Sequence, residues 1–162
     1  MKTVKVGRKH IALVDDSDFN TVSGHTWRIL NVKTKSSVLR YAATKIGGKY
    51  VMIHRLILSP PNHLHVDHKN HDGLDNRRSN LRLATNSQNQ QNRRYTSGKN
   101  KYKGITKHGC GKWQSQIKVL DDNGKSRSIY LGLFDREIDA ALAYRDAAQK
   151  YFGEYHNTGD IA

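Results

Sequence analysis

The chain has 162 residues, enough for one medium domain or two small ones, and with 36% hydrophobic residues each core must be small. A net charge of +14 and a pI near 10.0 point to a polyanionic partner, because Lys and Arg cluster with Asn, Gln and Tyr rather than alternating with carboxylates. The single cysteine, Cys110, excludes an intrachain disulfide and any zinc finger built on paired cysteines.

No apolar run approaches the ~20 residues of a membrane span, and no signal-peptide core follows residues 1–5. The expectation is a reducing, cytoplasmic setting among nucleic acids, with no membrane partner.

In chain order, Val4 to Val6 and Ile11 to Val14 flank Gly7-Arg8-Lys9 as a hairpin. Asp15-Asp16-Ser17 is placed to cap a short helix carrying Phe19 and Val22. Arg40 to Ile46 and Tyr50 to Ile53 flank Gly47-Gly48, a second hairpin signal. His54 to Leu58 then runs into Ser59-Pro60-Pro61, which stops any regular element.

Val66-Asp67-His68 reads as a short strand, the Asp/Asn/Gly-rich stretch from Asn70 to Asn80 as a loop, and Leu81-Arg82-Leu83 as a returning strand. Thr85-Asn86-Ser87-Gln88 fits a capping box and should start a helix with Asn89 in its first turn. The order is strand, loop, strand, helix.

Residues 93–101, which include Arg93 and Arg94, look like a basic linker. Beyond it, Lys103 to His108, Lys112 to Leu120 and Ser126 to Phe134 read as strands, with a hairpin signal at Asp121-Asp122-Asn123-Gly124. Asp135 is placed to cap a helix running to about Phe152, stopped by Gly153. Ile138, Ala141, Leu142, Ala148 and Phe152 fall near one face of that helix.

The chemistry concentrates at Asp67-His68. Neighbouring side chains of a strand point to opposite faces, so the two cannot ligate one ion together. Asp67 can face a metal while His68, with an ordinary pKa near ~6.5, faces an attacking water as a base. Asn89 from the following helix would add a neutral oxygen. This sparse, hard, oxygen-only donor set suits Mg²⁺, or another divalent cation such as Mn²⁺, and one-metal hydrolysis of a phosphodiester. A histidine zinc site from His63, His65, His68 and His71 is the competing reading, but it lacks a tight spacing template.

His65-Val66-Asp67-His68-Lys69-Asn70, Asp72-Gly73, Asn76, Asn80-Leu81-Arg82 and Asn89, with His54-Arg55-Leu56 upstream, closely resemble the HNH endonucleases, especially phage homing endonucleases. The resemblance implies a ββα-metal fold, His68 as general base and Asp67 with Asn89 as metal ligands. It also implies that Asn80 holds the loop and does no chemistry. The family is named for a third-position His, where this chain carries Asn89, as many homing members do. His54 is open between a packed supporting group and a substrate contact, and His65 between a supporting partner of the site and a simple strand residue.

In the C-terminal unit, period-2 counting puts Trp113, Ser115, Ile117, Ile129, Leu131 and Ile105 inward. It leaves Thr106, His108, Gln114, Gln116, Lys118, Ser128 and Tyr130 on an outer face without a carboxylate, and no Asp or Glu occurs between Arg93 and Lys118. Such a sheet can lie in a major groove, with Gln reading base edges and cations such as Arg93, Arg94 and Lys103 holding phosphates.

Tyr102-Lys103-Gly104-Ile105, residues 111–117, Tyr130-Leu131-Gly132-Leu133-Phe134 and Ala140-Ala141-Leu142-Ala143-Tyr144 resemble the APETALA/ethylene-response-factor DNA-binding domain. That implies a three-stranded sheet in the major groove backed by one helix. Plant members carry arginines where this chain has Thr106, Gln116, Lys118 and Ser128, so their sequence preference does not transfer.

The expected fold is α+β. A small β-rich region leads into a ββα-metal nuclease fold over residues 1–92, with its motif core at 54–92. After the linker at 93–101 comes a three-stranded antiparallel sheet on one helix over 102–158. The expected activity is metal-dependent endonucleolytic cleavage of double-stranded DNA by a monomer or weak dimer, in the nucleoid region of a bacterial or phage-infected cell. A DNA-binding regulator with an inactive HNH unit is the alternative.

Overall fold

Strands form where apolar residues recur at every second position and can share a core. Val4, Val6, Ala12 and Val14 do so in the first hairpin, where β1 (Lys2–Val6) pairs antiparallel with β2 (His10–Val14). The computed structural model describes residues 1–33, 38–92, 102–121 and 123–157. The expected linker at 93–101, with Arg93 and Arg94, and turn residue Asp122 lie outside the described residues. The chain divides into two compact units, residues 1–89 and 90–162.

In the first unit a 3₁₀ turn at Asp16–Asp18 leads into α1 (Phe19–Ser23), which buries Val22. The expected Asp cap is corrected here, because no capping side chain bonds either helix. Asp15 instead accepts the Arg78 backbone N–H at 2.8 Å, and Asp18 pairs with the Arg78 guanidinium at 2.8 Å. Donors from Arg78, its guanidinium for Asp18 and its backbone N–H for Asp15, outcompete the local helix end for these carboxylates.

β3 (Arg28–Lys33), β4 (Val38–Ile46) and β5 (Lys49–Met52) form an antiparallel sheet with β4 in the middle. The sequence reading missed β3. Its adjacent Ile29 and Leu30 are both half-buried and break the alternation, so pairing with β4 makes it a strand.

The segment before Ser59-Pro60-Pro61, to which the sequence reading gave no element type, forms α2 (Ile53–Leu58), which buries Ile53, His54 and Ile57 and ends at Ser59 as expected. β6 (His65–His68) and β7 (Leu81–Ala84) then pair antiparallel, with Asp67 opposite Arg82 and His68 opposite Leu81. α3 (Asn86–Asn92) follows. Its capping box forms as expected: Gln88 N–H donates to Thr85 Oγ1 at 3.3 Å, and Thr85 N–H donates to Gln88 Oε1 at 2.8 Å. Trp27, Val6, Val14, Val22 and Ile53 fill the core, and the Trp27 indole donates to the Val22 carbonyl at 2.9 Å.

The second unit is an antiparallel sheet of β8 (Ile105–Lys107), β9 (Trp113–Leu120) and β10 (Ser126–Phe134), with β9 central, and helix α4 (Glu137–Phe152). The first of these strands is shorter than expected. Asp135 is not the cap of α4; Arg136 stands at that position without a capping bond, and Asp135 pairs with Lys112 at 3.0 Å. The buried stripe of α4 is Ala140, Ala141, Tyr144 and Ala148, while Ile138, Leu142 and Phe152 are half-buried. Both units together make the α+β fold expected from the sequence.

Gly104 decides how closely α4 approaches the sheet. It has φ +74°, and a Cβ there would lie 1.9 Å from the Tyr144 ring and 2.8 Å from the Gln116 carbonyl oxygen. Overpacking and left-handed strain therefore add. Gly104→Ala should destabilise the second unit by about 3 kcal/mol, read as a lower urea midpoint for that unit.

Candidate active site and nucleic-acid face

The loop between β6 and β7 is closed by Asn80. Its Oδ1 accepts the Asn70 N–H at 3.0 Å, its Nδ2 donates to the Asp75 carbonyl at 2.7 Å, and its own carbonyl accepts the Lys69 N–H at 2.9 Å. Asp75 is 2% exposed and takes the Arg77 guanidinium in a two-point contact at 2.7 and 2.6 Å, with Asn70 Nδ2 donating to it at 2.9 Å. The loop is also sewn to the first hairpin: Leu13 N–H donates to the Leu74 carbonyl and Asn76 N–H to the Leu13 carbonyl, both at 2.8 Å. Gly73 permits a close approach to β4, since a Cβ there would lie 2.3 Å from the Arg40 carbonyl oxygen.

On β6, Asp67 and His68 are both buried, each 6% exposed. Asp67 Oδ2 accepts from the Arg82 guanidinium at 2.8 and 2.7 Å, across the strand pair. His68 Nε2 lies 3.4 Å from Asn76 Oδ1. The His68 ring also packs edge-on to His54 at 5.0 Å and near Tyr41 at 5.8 Å, while His54 meets Tyr41 at 5.5 Å.

Burial pushes the His68 pKa below its ordinary value, against the opposing pull of the Asn76 bond and of Asp67, Asp72 and Asp75. Burial, with His68 and Arg55 nearby, lowers His54 to about 3. Both rings are therefore neutral at neutral pH. Burial, then Asp67, raises the Tyr41 hydroxyl.

The structure thus brings His54 to His68 and packs it. His65 is exposed at the far end of β6. Asn89 is half-buried in the first turn of α3, where its N–H donates to the Thr85 carbonyl at 3.0 Å. His63 is exposed and His71 half-buried, and among the described residues no three His, Cys, Asp or Glu side chains form a metal-holding group. Sequence reasoning missed the parts of Asn76, Arg82 and Tyr41. Arg82 was legible in principle, because the second strand was expected to return beside the first, and the antiparallel pairing sets it opposite Asp67.

In the second unit Thr106, His108, Lys118, Ser128 and Tyr130 are exposed and Gln114 and Gln116 half-buried, with Ser115, Ile117 and Val119 turned inward. Gln114 lies across from Thr106, Gln116 from Tyr130 and Lys118 from Ser128. An irregularity between Tyr130 and Gly132 brings Leu133, 41% exposed, opposite Gln114. The Lys103 ammonium donates to the carbonyls of Gln90 and Gln91.

Two parts of the chain are similar to two kinds of module, an HNH endonuclease in the first unit and an APETALA2/ethylene-response-factor domain in the second. The HNH endonuclease family profile matches residues 59–91. An uncharacterised HNH endonuclease of Acanthamoeba polyphaga mimivirus is 35% identical over 95 residues, 59% of this chain and 46% of that protein. APETALA2-like protein 2 of Oryza sativa subsp. indica is 44% identical over 59 residues, 36% of this chain and 13% of that protein. An ethylene-responsive transcription factor of Arabidopsis thaliana is 36% identical over 61 residues, 38% of each chain. The chain thus spans less than half the length of each of these relatives. No solved structure matches it.

Asp75 is placed to make the loop sensitive to acid. The Arg77 bonds hold its carboxyl below the ordinary value of 3.8. A depressed folded pKa contributes stability above the unfolded pKa, and that contribution is lost as pH falls through the folded one. Asp75→Asn should therefore lower the urea midpoint of the first unit at pH 6 and flatten its decline below pH ~4. An unchanged decline in the variant would assign the acid sensitivity elsewhere.

Proposed function

We propose that the chain is a divalent-metal-dependent DNA endonuclease in which His68 is the general base. The observation that carries this reading is the pairing of a buried, neutral imidazole with a buried carboxylate, Asp67, on one short strand. A neutral histidine can take the proton from a water attacking phosphorus. Asn76, 3.4 Å from Nε2, and the packed rings of His54 and Tyr41 hold the imidazole in one orientation.

The donor set fits a hard cation. Asp67 would supply a carboxylate oxygen and Asn89 an amide oxygen, and Mg²⁺, or Mn²⁺, takes its remaining ligands from water and phosphate. When bound, such an ion stabilises charge gathering on the phosphoryl and leaving oxygens. Arg82, held against Asp67 at 2.7 Å, fixes the orientation of that carboxylate in a buried setting.

The outer face of the second unit supports double-stranded DNA as substrate. Gln114 and Gln116 offer paired donors and acceptors suited to base edges, and Tyr130 adds an amphipathic ring. The domain division follows the same logic, with cleavage in residues 1–92 and DNA reading in 102–158, joined by a basic linker.

Supercoiled plasmid incubated with purified protein should be nicked in Mg²⁺ and left intact in EDTA. His68→Ala should slow cleavage by on the order of 10²–10⁴-fold while DNA affinity stays within about twofold. Equal turnover in wild type and His68→Ala removes the general-base role. Binding without cleavage by the wild type indicates a DNA-binding protein on a silent HNH fold.

Asn76→Leu, similar in size and without the amide, should lower the cleavage rate about tenfold at unchanged DNA affinity, since it frees the His68 ring without touching the donor set. A rate equal to wild type would deny Asn76 any part in orienting His68.

A further inference from the structure

We infer that the first unit carries a phosphate-binding cleft for the duplex backbone, apart from the HNH motif. The cleft has a volume of about 360 Å³ and is formed where the β1–β2 turn meets β3. Val6 and Ile29 contribute apolar lining, and the polar lining comes from Arg8, Lys9, His10, Arg28 and Asn31. No carboxylate lines it. Arg8, Lys9 and Arg28 are exposed and form no ion pair among the described residues. Three cations facing one concavity without a counter-charge make a local positive potential that an anion relieves.

The cleft is built on fixed backbone. Gly7 N–H donates to the Trp27 carbonyl at 2.9 Å and Val6 bridges Trp27, so the turn carrying Arg8 and Lys9 is locked against the start of β3, which carries Arg28. The ligand class follows from the lining. Guanidinium and ammonium groups suit phosphate oxygens, and no Phe, Tyr or Trp lines the cleft to stack a base. A shallow basic dent fits backbone phosphates of a long polymer better than an enclosed nucleotide.

Leu13, bonded to the catalytic loop, lies four residues beyond Lys9 on the same hairpin, a run of roughly 13 Å. The cleft therefore stands on the same hairpin that is hydrogen-bonded to the motif loop. This inference rests on the DNA reading above and extends it to a surface outside both modules' motifs.

The test compares three full-length proteins, all carrying His68→Ala and held in EDTA so that DNA stays intact. One has no further change, one adds Arg8→Ala, Lys9→Ala and Arg28→Ala, and one adds Lys2→Ala, Lys45→Ala and Lys49→Ala as a charge-matched control. Duplex affinity is read by fluorescence anisotropy against salt concentration, with circular dichroism confirming the fold. The cleft variant should lose affinity at least about tenfold and show a salt slope shallower by about 2–3, and the control by less than one.

An unchanged slope in the cleft variant, or an equal change in the control, overturns the cleft while leaving the nuclease reading intact. Saturable binding of inorganic phosphate at matched ionic strength, lost in the cleft variant without a change in duplex affinity, identifies a small-anion pocket instead and also overturns it. Absence of duplex binding by the parent protein overturns both readings.

Discussion

The arrangement around His68 depends on one buried amide, Asn80. A mostly polar loop, in which only Leu74 packs against the core, cannot hold its shape through packing alone, because it has little apolar surface to bury. Asn80 replaces packing with three hydrogen bonds that join the loop's entry at Lys69 and Asn70 to its middle at Asp75. With Asn80 in place, β6 and β7 enter and leave the loop in register, and Asp67 meets Arg82 rather than a neighbour one residue away. A slip of one residue would turn Asp67 and His68 to each other's faces. Asn80 therefore sets the geometry of the site without touching a reacting group.

Around that amide the first unit is held by charge as much as by apolar burial. Asp75 with Arg77, Asp18 with Arg78, and Asp67 with Arg82 each place a nearly buried carboxylate against a guanidinium. Only Asp67 with Arg82 is nearly buried on both sides; such a pair contributes little net stability compared with apolar packing, but removing one partner strands a charge. Asp15 and Asp18 draw Arg78 to the start of α1, and Leu13 binds the loop backbone, so the small hairpin that precedes the motif is part of its scaffold. This is a physical reason for a β-rich region of nearly 60 residues to stand ahead of a motif that is itself far shorter.

What was legible in the sequence follows from the range of the forces involved. The capping box at Thr85 and Gln88, the β6–β7 pair around a polar loop, the β10 strand and the α4 stop at Gly153 are written in residues within a few positions of one another. The elements that were missed are set by distant partners. β3 is a strand because β4 lies beside it, and Asp15 does not cap α1 because Arg78, 63 residues on, takes it. The same holds in the site: Asp67 and His68 were found from their adjacency, whereas Tyr41 and Asn76 reach His68 only through tertiary folding. Tyr144 was overlooked in α4 because an apolar count passes over a hydroxylated ring, yet it is the side chain that Gly104 exists to admit.

The distribution of charge bears on how the proposed activity would divide its labour. Of the outer-face residues named in the second unit, only Lys118 is a full cation; the others are hydroxyls, amides, an imidazole and a phenol. Polar groups of this kind discriminate between base edges but contribute little of the salt-dependent affinity that comes from neutralising phosphates. The affinity must then come from cations elsewhere in a chain that carries 28 of them against 14 acidic residues. In the first unit the motif loop consumes Arg77, Arg78 and Arg82 in ion pairs, so those three are already committed to carboxylates. The N-terminal turn and the start of β3 hold Arg8, Lys9 and Arg28 in a different condition, exposed and grouped. The proposed DNA activity needs such a second set, and the one the fold supplies stands on the same hairpin that braces the motif loop.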